Sequence, residues 1–306
     1  MTHETFDVAI IGGSIAGLSA ALTLGRSLRR VIVIDGETPC NSASSHSHNF
    51  ITHDGSKPTD IVRQAKKQIA AYENVTFLKD LVVDAKFSND CFHVVTQSGS
   101  VMRASRVLLC TGLTDKLPDI PGFQDCWGIS VLHCPYCHGY EVKGKRTAVL
   151  ANGEAAFNVT MLIRNWTEDI VLLTNGRSEL RPEEKEILDG LGVTIYETKV
   201  ASVLHESGHL SRILFSDDTV VEAAAMYASV PFVQQSNLAE ILGCKLTPKG
   251  HIEVDALGRT TVAGVYAAGD NTAEHRAISV AAASGTVAGF TINFDHVVPQ
   301  LKASVT

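Results

Sequence analysis

Residues 6–35 read FDVAIIGGSIAGLSAALTLGRSLRRVIVID. The β-branched apolar run Phe6–Ile11 predicts a strand, Gly12 and Gly13 a turn, Ala16–Leu28 a helix, and Val31–Ile34, closed by Asp35, a second strand. Strand, turn, helix and strand in about thirty residues is the size of a βαβ unit. Inside it, Gly12-Gly13-Ser14-Ile15-Ala16-Gly17 fits G-x-G-x-x-G with Ser14 in place of the middle glycine. Gly12 permits the tight turn, Gly17 permits close helix–sheet packing, and the small Ser14 lets backbone N–H groups approach a pyrophosphate at the helix N-terminus. Asp35 follows Gly17 by eighteen residues, where an acid receives a ribose hydroxyl. Its charge favours an unphosphorylated ribose, hence FAD or NAD over NADP. Glycines alone are common in tight loops; their order with strand, helix and terminal acid favours a dinucleotide site.

Working outward, Asn41–Ser56 is polar, rich in Ser and His, and reads as a loop. Thr59–Tyr72 has helical spacing, and Val75–Phe77, Phe92–Thr96 and Val107–Cys110 predict strands. A second strand–turn–helix–strand starts at Arg146: Thr147–Ala151, the turn Asn152-Gly153, Ala155–Trp166 and Ile170–Thr174. Pro182–Leu188 predicts a helix with Pro in its first turn. The duplication predicts an α/β fold with two Rossmann-like (three-layer ββα) dinucleotide-binding domains. Two more elements favour FAD. Thr260–Asp270 predicts a strand ending in Gly269-Asp270, where an aspartate accepts hydrogen bonds from a ribityl chain, and Cys110-Thr111-Gly112 follows an apolar strand.

The chain has 306 residues, 45% hydrophobic and 19% charged, enough apolar material for real cores and too much for disorder. A net charge of −7 argues against a nucleic-acid binder, which needs a basic surface. Val8–Gly25 and Ala277–Phe294 are uncharged, but their internal Gly, Ser and Thr fit buried segments of a cytoplasmic protein better than a membrane span or signal peptide. Seven cysteines fit free thiols better than a disulfide framework.

Cys134 and Cys137 stand apart, in His133-Cys134-Pro135-Tyr136-Cys137-His138-Gly139-Tyr140-Glu141. A C-x-x-C pair can cycle between dithiol and disulfide, and flanking imidazoles can lower or relay a thiol pKa. The letters also match a c-type haem attachment site, which requires export that nothing here provides. Zinc is disfavoured because six contiguous residues wrap a tetrahedron poorly, and no metal is expected. Two inert core cysteines remain an alternative, opposed by the flanking His and Gly.

In this order the motifs resemble the low-molecular-weight thioredoxin reductase family of FAD and pyridine-nucleotide disulfide oxidoreductases. The resemblance implies a homodimer. It also implies an FAD domain made of residues 1–116 and 245–306, interrupted by an NAD(P)-binding-like domain, 117–244, that carries the C-x-x-C. It places Gly12, Ser14, Ile15, Ala16 and Gly17 at the pyrophosphate, and Asp35 and Gly36 at the adenosine ribose. Val83 falls at the adenine strand, and Asn41, His46, Thr111, Gly112, Gly269, Asp270, Arg276, Ala277 and Ile278 fall along the rest of the FAD.

The chain departs from that family at three places. His138 replaces the aspartate that serves as acid. Ala151-Asn152-Gly153-Glu154-Ala155-Ala156 lacks the first glycine of the nicotinamide fingerprint. Only Arg177, after Thr174-Asn175-Gly176, remains of the basic cluster for a 2′-phosphate. NADPH is therefore doubtful. His133, the His-Gly-Tyr-Glu tail and the loop Asn41…His46-Ser47-His48-Asn49 are more similar to the holomycin- and gliotoxin-type dithiol oxidases. That branch implies Cys134 as substrate-attacking thiol, Cys137 facing the flavin, and dioxygen as acceptor. It makes His133, oriented by Glu274, the base, with His138 the second choice. Glu274 reads equally well as a surface acid. The substrate is a small dithiol or disulfide metabolite or a thioredoxin-like protein. The alternatives are an NADPH-dependent thioredoxin reductase, reduction by another electron carrier, and a redox-sensing binding protein.

Overall fold

The computed structural model describes residues 5–303, with side chains for residues 5–298. The chain divides into two compact units. One comprises residues up to 42, 58–114 and from 232 onward; the other comprises 43–57 and 115–231.

The first unit opens with β1 (Thr5–Ile11), α1 (Ile15–Arg26) and β2 (Val31–Asp35), then α2 (Pro58–Ile69), β3 (Val75–Lys79), β4 (Val82–Ser88), β5 (Cys91–Thr96) and β6 (Val101–Leu109). β2 lies parallel between β3 and β1, with Val8 opposite Val31 and Ile34 opposite Leu78. β1 pairs in parallel with β6, and Ile11 faces Leu109. One edge of β6 is shared. Its first half takes β5 antiparallel, Phe92 opposite Ala104, and its second half takes the strand Val265–Ala267 in parallel.

β1 and β2 are buried at nearly every position, as expected of parallel strands covered on both faces. Alternate side chains therefore feed two cores. Val8, Ile10, Val31 and Val33 pack with Ala20, Ala21 and Leu24 of α1 and with Ala288 and Ile292 of the C-terminal helix Ile278–Ala303. Ala9, Ile11, Ile32 and Ile34 pack with Ala85, Phe92, Leu238 and Ala239. Each fully buried aliphatic side chain contributes about 1.5–3 kcal/mol. The two uncharged stretches meet here: Gly285 lies so close to Ala16 that a Cβ would strike the Ala16 carbonyl oxygen. Among the described residues no helix is long and apolar enough to cross a membrane.

The second unit is built on five parallel strands in the order Thr194–Tyr196, Ile170–Leu173, Thr147–Leu150, Ala225–Ala228, Val131–Leu132. Helices Gly153–Ile163 and Pro182–Gly190 cover one face, burying Ala156, Ile163 and Leu188 against Val149 and Leu172. An antiparallel layer, Val200–Glu206, His209–Phe215 and Val220–Glu222, covers the other through Val203, Ile213 and Phe215. Both units are thus Rossmann-like α/β structures.

The boundaries differ from the expected ones in two ways. The chain returns to the first unit at Phe232, not near residue 245, because Leu238 and Ala239 of the short helix Leu238–Ile241 are anchored in its core. Residues 43–57, expected as a loop of the first domain, belong to the second unit.

Candidate active site

A cavity of about 820 Å³ opens at the carboxyl ends of β1 and β2, where open parallel sheets bind their ligands. Gly12 turns the chain there with φ +106°, its N–H donating to the Ile34 carbonyl at 2.8 Å. A Cβ at this position would strike the Cys110 carbonyl. The next residues start α1 in an open manner. Ser14, the N-cap, makes no side-chain cap bond, and the first turn carries no acid. Such a helix start presents backbone N–H groups and a positive dipole end to an anion.

Asp35 lies at the end of β2 on the cavity wall, accepting a bond from the Glu37 N–H at 3.3 Å, with the Lys66 ammonium at 3.5 Å. Lys66 also pairs with Glu37 at 3.2 Å, and the bonds from Lys79 and Lys66 hold the Glu37 carboxyl below its usual range. Of the expected cofactor residues, Gly12, Ser14, Asp35, Gly36, Asn41, Val83 and Thr111 line the cavity. Ile15, Ala16, Gly17 and Gly112 flank it in sequence. Gly269 and Asp270 follow the strand Val265–Ala267, and the Asp270 carboxylate lies 3.7 Å from Arg276. Beside them Asn271 is fully buried. Its Nδ2 donates to the Leu109 carbonyl at 3.0 Å, while its Oδ1 has no partner among the described residues.

Sequence reading missed Val62, Arg63 and Lys66 of α2, and Gln235 and Asn237, which also line the cavity. Val62 and Lys66 stand four apart on one helix face, a signal available only once α2 is known to face the site. Bare backbone at a helix start, a carboxylate on the cavity wall and a lysine fit FAD, with Asn271 Oδ1 a further orphaned acceptor.

The second unit carries a Cys134–Cys137 disulfide, with Cα atoms 5.4 Å apart. It spans the one-turn helix Pro135–His138, which follows the strand Val131–Leu132. Pro135 is pre-set for the first helical position, and Cys134 is the extended N-cap residue. Tyr136 and Tyr140 are exposed, Tyr136 standing edge-on to Trp166 at 5.7 Å. His133 is exposed beside Trp127, ring centroids 6.2 Å apart. His138 is more buried, and burial pushes its pKa down; the Glu141 charge opposes that shift and His48 adds to it.

The expected FAD residue His46 lies in the 43–57 segment of this unit, 6.4 Å from His48 between ring centroids. Glu274, the expected partner of His133, belongs to the first unit. It is exposed there and paired with Lys249 at 2.7 Å, which holds its carboxyl below the usual range. Ala277 and Ile278 lead into the C-terminal helix of the same unit. Cys91, Cys110, Cys126 and Cys244 are free, and the exposed Cys40 Sγ lies 3.9 Å from Asp270 Oδ2. Burial pushes the Cys110, Cys126 and Cys244 thiols up, which keeps them unreactive.

The second unit also begins a helix at the end of its strand Thr147–Leu150. Asn152 caps the helix Gly153–Ile163, its Oδ1 accepting from the Gly153 and Glu179 N–H groups, both at 2.9 Å. Its Nδ2 donates to the Arg177 carbonyl at 2.9 Å, and Glu154 lies in the first turn.

Known proteins share this architecture. The family model described as pyridine nucleotide-disulphide oxidoreductase matches residues 6–285. A protein of Claviceps purpurea named thioredoxin reductase tcpT is 31% identical over 303 residues, covering 94% of this chain and 93% of its own. The crystal structure of HlmI superposes with a TM-score of 0.93 at 32% identity, covering all of this chain and 97% of that one. That of an oxidoreductase from Agrobacterium tumefaciens superposes with a TM-score of 0.90 at 32% identity, covering 96% and 99%.

Proposed function

This chain belongs to the pyridine nucleotide-disulphide oxidoreductase family, and from that premise we propose an FAD-dependent thiol–disulfide oxidoreductase that works as a dithiol oxidase. A substrate thiolate attacks Cys134 Sγ, forming a mixed disulfide and breaking the Cys134–Cys137 bond, so that Cys137 leaves as a thiolate. The second substrate thiol, deprotonated, attacks the substrate sulfur of the mixed disulfide. The product disulfide departs and Cys134 is left as a thiolate. Two electrons and two protons leave the substrate, and the imidazoles of His133 and His138 are the groups suited to take the protons. A bound FAD supplies the two-electron acceptor that restores the disulfide, with dioxygen taking the pair and yielding peroxide.

The observation that carries the oxidase direction is at Asn152. Its carboxamide oxygen already accepts the Gly153 N–H at the helix start. A dinucleotide phosphate would have to displace it. The runner-up, an NADPH-dependent thioredoxin reductase, draws on the name of the Claviceps purpurea relative. We further propose a homodimer, supported by Phe290 and Phe294, four apart on the C-terminal helix and 62% and 60% exposed. The test of the activity is dithiothreitol-dependent oxygen uptake by the holoenzyme. Cys137→Ser is expected to abolish it, and unchanged uptake would remove Cys137 from the mechanism.

A further inference from the structure

The loop 43–57 is folded on itself. The Ser47 N–H donates to the Ser56 carbonyl at 2.7 Å and the Gly55 N–H to the Ser47 carbonyl at 2.9 Å. Asp54 accepts the Asn49 N–H at 2.8 Å. His48 sits between two carboxylates: its Nδ1 lies 3.5 Å from Asp54 Oδ1 and its Nε2 lies 3.6 Å from Glu141 Oε1. An acid beside each ring nitrogen biases the orientation of the ring.

The His48 ring stands edge-on to His138, centroids 6.4 Å apart. His138 directly follows Cys137 and lies four residues beyond Cys134, one helical turn away. In the same unit the Tyr227 hydroxyl is fully buried without a hydrogen-bond partner among the described residues, and the Glu141 charge bears on it. All of these residues belong to the second unit.

We propose that His48 and Glu141 are positioning residues that orient and bias the imidazole of His138, the group that takes the proton of the incoming substrate thiol. The inference rests on the thiol–disulfide chemistry proposed above and moves the base from His133 to His138. Neutral His138 accepts the thiol proton as the substrate sulfur bonds to Cys134 and the Cys134–Cys137 bond breaks. The electron pair of that bond stays on Cys137, leaving an imidazolium beside a thiolate. Glu141 stabilises the imidazolium, while His48, when protonated, opposes it. These two are the charged groups that bear on His138. His48 thereby tempers the effect of Glu141, and Asp54 holds His48 in place.

The signs of the two substitutions differ, and a merely structural role would not produce that. In holoenzyme carrying isotope-labelled histidine, the His138 titration followed by NMR is expected to move to lower pH in Glu141→Gln. In His48→Gln it is expected to move to higher pH. The acid limb of anaerobic disulfide reduction by dithiothreitol should follow in the same two directions, with about a tenfold slower plateau in Glu141→Gln. His138→Gln should lose about 100-fold and the limb itself. An unmoved His138 titration in both variants, or movement in the same direction in both, overturns the positioning role of His48 and Glu141. Cys137→Ser separates the two levels of the argument. If it still turns over dithiothreitol, the thiol–disulfide reading fails whatever His138 does. If it is dead while the two titrations stay put, only that positioning role fails.

Discussion

The two units each begin a helix at the end of a parallel strand, and they finish the job differently. At α1 the N-cap Ser14 makes no side-chain cap bond, no acid stands in the first turn, and a cavity opens in front. At Gly153–Ile163 the Asn152 carboxamide closes the helix start and ties it to Arg177 and Glu179, with Glu154 one residue in. One βαβ unit leaves its N–H groups to an outside anion; the other supplies its own acceptor. Fold similarity therefore does not imply equal cofactor binding, since a phosphate site lives in a few backbone donors and what already occupies them.

The largest expected effect breaks the first half of this comparison. Gly12→Val places a β-branched residue at φ +106° against the Cys110 carbonyl. The strained backbone alone costs about 1–3 kcal/mol, so the protein should purify without flavin absorbance. Ser14→Asp converts the open helix start into an acid-capped one. It should weaken FAD about tenfold, read by flavin retention on dialysis against a competing apoflavoprotein. Asn152→Gly works in the reverse direction on the second unit. Losing the cap and its two cross-links should lower stability by about 1 kcal/mol, measured by urea denaturation, while NADPH titration shows new quenching. Unaltered NADPH binding would mean that Asn152 is not the obstacle.

The smallest effect is on pH dependence. Burial lowers the His138 pKa below its ordinary 6.5, so the unfolded chain binds a proton that the folded chain resists. The resulting contribution to stability is fully present above pH 6.5 and is lost as pH falls from there through the lowered folded value. Denaturation midpoints should decline over that window, and less so in His138→Gln.

Much of this was legible in residues 6–35, because periodicity, glycine placement and the closing acid all act locally. The Cys134–Cys137 pair was legible for the same reason, its partners being three residues apart. What stayed hidden depends on distant approach. Lys66 joins Asp35 across 31 residues, and His48 reaches Glu141 only because the loop 43–57 sits in the second unit. The antiparallel layer 200–222 carries no motif and is specified by packing through Val203, Ile213 and Phe215. The missing glycine before Asn152 was visible in the sequence, but the Asn152 carboxamide accepting two N–H groups was not.

In the proposed oxidase, electrons enter through Cys134 and Cys137 from a dithiol and not through the second helix start from NADPH. Anaerobic oxidised holoenzyme should be mixed in parallel with stoichiometric NADPH and with dithiothreitol while the flavin band is followed. The account predicts bleaching by dithiothreitol and an unchanged band with NADPH; rapid bleaching by NADPH would contradict it.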